Sequence, residues 1–128
     1  MDEVLRQDCP AREVIDHVTG KWGVLILLAL RRGDLRFYEL RNAVEGVTDK
    51  VLSQSLRVLV RDGLVWRAVE PVNPPRVTYG LSALGTELGT HLGGLTDWIR
   101  DNAGALIAAQ EAFDVSDPRA AAPTAGSR

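Results

Sequence analysis

The stretch Thr48-Asp49-Lys50-Val51-Leu52-Ser53-Gln54-Ser55-Leu56-Arg57-Val58-Leu59-Val60-Arg61-Asp62-Gly63 decides how the rest of the chain is read. Thr48 is a good N-cap, and Asp49 favours the positive end of a helix dipole. Leu52, Leu56 and Leu59 recur at helical spacing and line one face. Lys50, Ser53, Gln54, Arg57 and Arg61 fall largely on the other. The helix is expected to end at Asp62-Gly63. It joins a leucine seam, fit for burial, to a face of side chains that can donate and accept hydrogen bonds.

Upstream, Arg36 to Ala43 predicts a shorter helix with Phe37 and Leu40 inward, followed by a tight turn at Glu45-Gly46-Val47. Before it, Trp22 to Arg32 reads as a helix apolar on nearly every side, either a central core element or one shared with a partner subunit. Gly33 is its expected stop, behind the basic Arg31 and Arg32. Cys9-Pro10 opens a first helix running to about Val18, with Pro at the first helical position and Thr19-Gly20 as its end. Downstream the period changes. In Leu64 to Glu70, Val65, Arg67 and Val69 alternate against Leu64, Trp66 and Ala68, the pattern of a strand. Pro71, Asn73, Pro74 and Pro75 make a stiff loop, and Arg76 to Leu81 reads as the returning strand of a hairpin.

Ser82 is placed to cap a long last helix whose Leu84, Leu88, Leu92, Leu95 and Ile99 form a stripe. Gly85, Gly89, Gly93 and Gly94 interrupt it at about 1 kcal/mol each relative to alanine. They either permit close approach of another helix or leave this one marginal alone, and both readings expect a partner. An apolar stretch from Ala103 to Phe113 extends or follows it. From Asp114 the Ala, Pro, Ser and Gly composition predicts a disordered tail. The expected organisation is one domain over residues 1–113 and a tail over 114–128.

Length and composition agree with this. The chain has 128 residues, 45% hydrophobic and 25% charged, as in an ordinary globular domain with its own core. Its longest apolar run, Val24 to Leu30, is far short of the roughly 20 residues that span a bilayer. The N-terminus is acidic and polar, unlike a signal peptide. One cysteine cannot form an internal disulfide. These features predict a small cytoplasmic domain. The net charge is −2, yet residues 21–80 hold ten basic against six acidic side chains, and both flanks are acidic. Because screening confines charge effects to about 8–10 Å at physiological salt, a basic middle can bind an anion that the whole molecule would not attract.

The element order is helix, helix, helix, turn, helix, hairpin, helix, so residues 36–61 form a helix-turn-helix and the hairpin at 64–81 a wing. A helix with polar side chains above a leucine seam fits the major groove, about 12 Å wide. Ser53, Gln54 and Arg57 are able to read base edges. Lys50 and Arg61 suit phosphates, as does Arg76 beside the Pro74-Pro75 tip. Arg36, opening the shorter helix, is counted with them as DNA-binding. The helix residues also have a plain reading as a solvated helix face, and Arg76 as a solvated strand charge.

The segments Cys9-Pro10, Gly20-Lys21-Trp22, Arg36-Phe37-Tyr38-Glu39-Leu40-Arg41, Lys50 to Arg57 and Asp62 to Arg67 closely resemble the HxlR-type winged helix-turn-helix transcriptional regulators. Pro74 to Gly85 and Trp98 continue the match in order, so that it covers about residues 9–100. The resemblance implies an α+β, mostly α, winged helix-turn-helix fold with a long C-terminal dimerisation helix. It also implies a homodimeric regulator, repressor or activator, that binds palindromic double-stranded DNA, with residues 49–61 as the recognition helix. Such a protein works in the cytoplasm at the nucleoid. In some members the cysteine just before the proline senses oxidants or electrophiles, which nominates Cys9. Thr78 and Glu70 depart from the family pattern, which usually has an acidic residue at the first position and an aromatic near the second.

Other functions are weighed against this one. His17 and His91 lie in no metal-ligand spacing, and no nucleophile elbow or phosphate-binding glycine loop precedes a helix. Neither an enzyme nor a metal or other cofactor is expected. Two alternatives remain: a ligand-responsive regulator without a thiol switch, and a protein-binding winged-helix module. Trp22, Phe37, Tyr38, Trp66 and Trp98 are candidates to line an effector pocket in the first, and are otherwise core.

Overall fold

A computed structural model describes residues 5–121. They fall into two compact units that divide at Gly93–Gly94.

In the first unit, α1 (Pro10–Thr19) and α2 (Lys21–Leu30) are separated by Gly20 alone. Next come β1 (Leu35–Arg36), α3 (Phe37–Ala43), α4 (Asp49–Arg61), β2 (Val65–Glu70) and β3 (Arg76–Leu81). Thr48 caps α4 by accepting the Val51 N–H at 3.2 Å. Past its end, Gly63 has φ +79°, a left-handed conformation that a residue with a β-carbon adopts at a cost. The strands form an antiparallel sheet in the order β1-β3-β2. Trp66 pairs with Gly80 and Arg67 with Tyr79 across the hairpin. The core gathers Ile26 and Leu27 of α2, Leu40 of α3 and Leu52, Leu56 and Leu59 of α4, all essentially solvent-free. Burying each such side chain contributes about 1.5–3 kcal/mol.

Two details differ from the sequence expectation here. Arg36 is not helical. It pairs with Thr78, and Leu35 with Tyr79, so a two-residue strand covers the free edge of β3 before α3 begins. The Arg36 N–H then donates to Glu39 Oε1 at 2.8 Å, closing the first turn of α3. The second difference concerns the glycines of α5 (Ala83–Asp101). A β-carbon at Gly85 would overlap the Leu64 carbonyl oxygen, and those at Gly89 and Gly93 would meet the Arg31 side chain. These three glycines serve contacts inside the chain, so they give no argument for a partner helix. Gly94 alone among the four faces open space. The leucine stripe is divided in the same way: Leu92 is buried and Leu88 packs on the core, whereas Leu84 is 61% exposed. At the start of α5, Ser82 Oγ donates to the Gly63 carbonyl at 2.6 Å and accepts the Gly85 N–H at 3.0 Å, as its capping role requires.

The second unit comprises the end of α5, a break at Asn102, and α6 (Ala103–Ser116), followed by a 3-10 turn at Pro118–Ala121. Asn102 Nδ2 donates to the Trp98 carbonyl at 2.8 Å across the break. Leu95, Trp98, Ile99, Ile107 and Phe113 are exposed. Of the tail expected over 114–128, α6 takes in residues up to Ser116, Asp117 is extended, the 3-10 turn ends at Ala121, and residues 122–128 lie outside those described.

Candidate nucleic-acid interface

The site is built on α4. With Leu52, Leu56 and Leu59 anchored in the core, the opposite face turns outward, and Lys50, Ser53, Gln54, Arg57 and Arg61 are all exposed along it. Arg41 of α3 bridges to Asp49 at 3.1 Å, tying the two helices across their turn. Both side chains are about half exposed, so the pair fixes geometry more than it adds stability. Lys50 and Arg57 have no hydrogen-bond or ion-pair partner among the described residues, which leaves both cations free for an incoming anion. Arg61 differs. It reaches back to Glu13 of α1 at 3.7 Å and is partly neutralised there.

The hairpin brings in the second group. Arg36 and Arg76, far apart in sequence, line one recess of about 490 Å³ together with Tyr38, Asn73, Pro74 and Pro75. The tip contains a cis Asn73–Pro74 bond. A third cation, Arg67, was not singled out by sequence. Its register opposite Tyr79 puts it on the hairpin face that meets α4, where it shares a recess with Ser53 and Arg57. Alternation in β2 shows that Arg67 shares a face with Val65 and Val69, but not that this face turns toward α4.

Other candidates lie elsewhere. Cys9 is the N-cap of α1, half-buried and free, and lines none of these recesses. His17 is half-buried and held by Asp62, and His91 is exposed. The aromatics do not share one pocket: Trp22 lines a recess between α4 and the α1–α2 corner, and Phe37 and Tyr38 line the one under the hairpin tip. Among the described residues no cluster of His, Cys, Asp or Glu is disposed to hold a metal ion, and no helix is long and apolar enough to cross a membrane.

Three helices, a recognition-type helix and a β-hairpin beside it define a winged helix-turn-helix. Residues 17–106 match the model of the HxlR-like helix-turn-helix, and the chain belongs to that family of transcriptional regulators. It is 46% identical over 105 residues to YtfH, an uncharacterized HTH-type transcriptional regulator of Escherichia coli K12, covering 82% of this chain and 83% of the relative. Among solved structures, the regulator YtfH of Salmonella typhimurium superposes with a TM-score of 0.79 at 46% identity, over 84% of this chain and 96% of that one. The redox regulator HypR in its reduced form gives a TM-score of 0.72 at 30% identity, over 77% and 98% of the two chains. Diamide-treated YodB from Bacillus subtilis gives 0.62 at 27%, over 75% and 96%. Relatives and fold are those of transcriptional regulators, not of enzymes.

Proposed function

We propose that this chain is a homodimeric, sequence-specific reader of double-stranded DNA that occupies an imperfect palindrome. The observation that carries the reading is the face of α4: Lys50, Ser53, Gln54 and Arg57 stand exposed directly opposite three leucines sealed in the core. Ser53, Gln54 and Arg57 present base-reading groups to the major groove. Lys50, with Arg36 and Arg76 under the hairpin tip, supplies phosphate contacts that set position without sequence information. Arg61 contributes less, because Glu13 competes for it.

One recognition helix reads too few bases, so a second copy is needed, placing two helices about 34–36 Å apart on the duplex. The exposed Leu95, Trp98, Ile99 and Ile107 supply apolar surface for that association. Cys9 is proposed as a sensor of oxidants or electrophiles. The likeness to HypR and YodB supports the assignment. The protein is assigned to the cytoplasm, at the nucleoid.

The test is selection of bound duplexes from a random pool, with sedimentation of the protein alone and on the selected site. Recovery of a two-fold symmetric motif bound by two chains is the expected result. A stable monomer that binds tightly, or uniform weak binding to every duplex, removes the reading.

A further inference from the structure

The recess shared by Arg57 and Arg67 has a floor that phosphate contacts do not call for. It measures about 370 Å³ and lies between α4 and the hairpin, lined by Ser53, Leu56, Arg57, Val60, Arg67 and Tyr79. Leu56 and Val60 stand one turn apart on α4, and Tyr79 directly faces Arg67 across β2–β3. Tyr79 is only 7% exposed, yet its hydroxyl has no hydrogen-bond partner among the described residues. No unpartnered side-chain oxygen there is sealed from solvent, so the hydroxyl keeps solvent access, and Tyr79 is one of the residues that line the recess. Neither Arg57 nor Arg67 has an acidic partner among the described residues. A nearly buried tyrosine, two arginines without acidic partners and two aliphatic residues thus line a volume in the range of small-molecule sites.

We propose that this recess binds a small planar organic anion, an aromatic carboxylate, and that its occupancy competes with DNA. Guanidinium groups pair with a carboxylate in two parallel hydrogen bonds, the Tyr79 hydroxyl donates a further one, and the ring lies against Leu56 and Val60. A bare inorganic anion would leave the aliphatic wall and most of the volume unused. Competition follows because Ser53 and Arg57 belong both to this recess and to the exposed face of α4. This second part rests on the proposed reading of α4 as the DNA-facing helix.

The probe is 2-naphthoate, titrated calorimetrically into the full chain without DNA. The expected result is saturable binding of one molecule per chain. The neutral 2-naphthylmethanol binds about tenfold or more weaker, and equimolar inorganic phosphate does not displace the acid. Arg67→Gln and Tyr79→Phe each lower affinity about tenfold or more, the loss of one hydrogen bond to a charged group. Arg100→Gln, which removes an exposed cation paired with Asp97 on α5, leaves affinity unchanged. No saturable binding, wild-type affinity in both recess variants, or phosphate displacing naphthoate equally well would each overturn the site. With the selected duplex present, naphthoate releases DNA in wild type, and Tyr79→Phe shifts that release to higher ligand concentration. Binding that leaves the duplex undisturbed overturns the competition. A chain that binds naphthoate through Arg67 and Tyr79 but binds no duplex upholds the site and overturns the DNA-reading function instead.

Discussion

Nδ1 of His17 and Oδ2 of Asp62 lie 2.6 Å apart, joining the last turn of α1 to the residue that ends α4. The Asp62 side chain is only 5% exposed, and His17 is its one side-chain partner among the described residues. The contact therefore holds the C-terminal end of α4 against the rest of the first unit.

His17→Ala is expected to leave that carboxylate buried without its partner, at a cost of about 1–3 kcal/mol. For a domain of this size, each kcal/mol lowers the melting temperature by about 4–8 °C. Thermal unfolding followed by circular dichroism measures this. A melting temperature equal to wild type would mean that Asp62 finds other partners at no cost.

The glycines of α5 make opposite predictions. Gly85→Ala places a β-carbon against the Leu64 carbonyl and is expected to destabilise by about 1–3 kcal/mol as the helix shifts away. Gly94→Ala meets nothing and is expected to stabilise by about 0.5–1 kcal/mol through helix propensity alone. Denaturant titration of the two variants side by side decides it, and equal effects of the same sign would contradict the described packing.

How legible these features were in the sequence depended on whether their causes were local. The seam of Leu52, Leu56 and Leu59 and the Thr48 cap are written in the spacing of a single helix, and the structure reproduces both. The strand at Leu35–Arg36 is not, because two residues become a strand only when the edge of β3 is left free beside them. The glycines of α5 showed a need for room but not what fills it, which is Arg31 and the Leu64 backbone. Of the interface, the polar face of α4 was legible. The meeting of Arg36 with Arg76, and of Arg57 with Arg67, depends on how the hairpin packs, which no local pattern contains.

Substitutions on the proposed DNA-binding face are expected to separate into two kinds. Arg57→Ala or Gln54→Ala changes sequence preference, costing about 1–3 kcal/mol at the base pair concerned. Lys50→Ala, Arg36→Ala or Arg76→Ala weakens all duplexes alike and flattens the salt dependence by about one unit for each phosphate no longer neutralised. Fluorescence anisotropy over a salt series, on cognate and scrambled duplexes, measures both. Intact affinity and preference in Arg57→Ala would show that α4 is not the reader.

Cys9 is the chain's single cysteine, so oxidation can join it only to a second chain or to a small thiol. Diamide treatment is expected to change duplex affinity reversibly, and Cys9→Ser to abolish that response while leaving the untreated affinity near wild type. A gel shift unaltered in protein whose modification is confirmed by mass would reduce Cys9 to a structural N-cap.

Arg31 rests against the two glycines at 89 and 93, so the length of one side chain and the absence of two others are a single fitted quantity shared between helices. A β-carbon at 93 requires the Arg31 guanidinium to swing aside, one at 89 presses on the stem of the same side chain, and a relative that shortens residue 31 is released from both demands. An alignment of the family is therefore expected to show these positions changing together, as the record of a shape that neither helix specifies by itself.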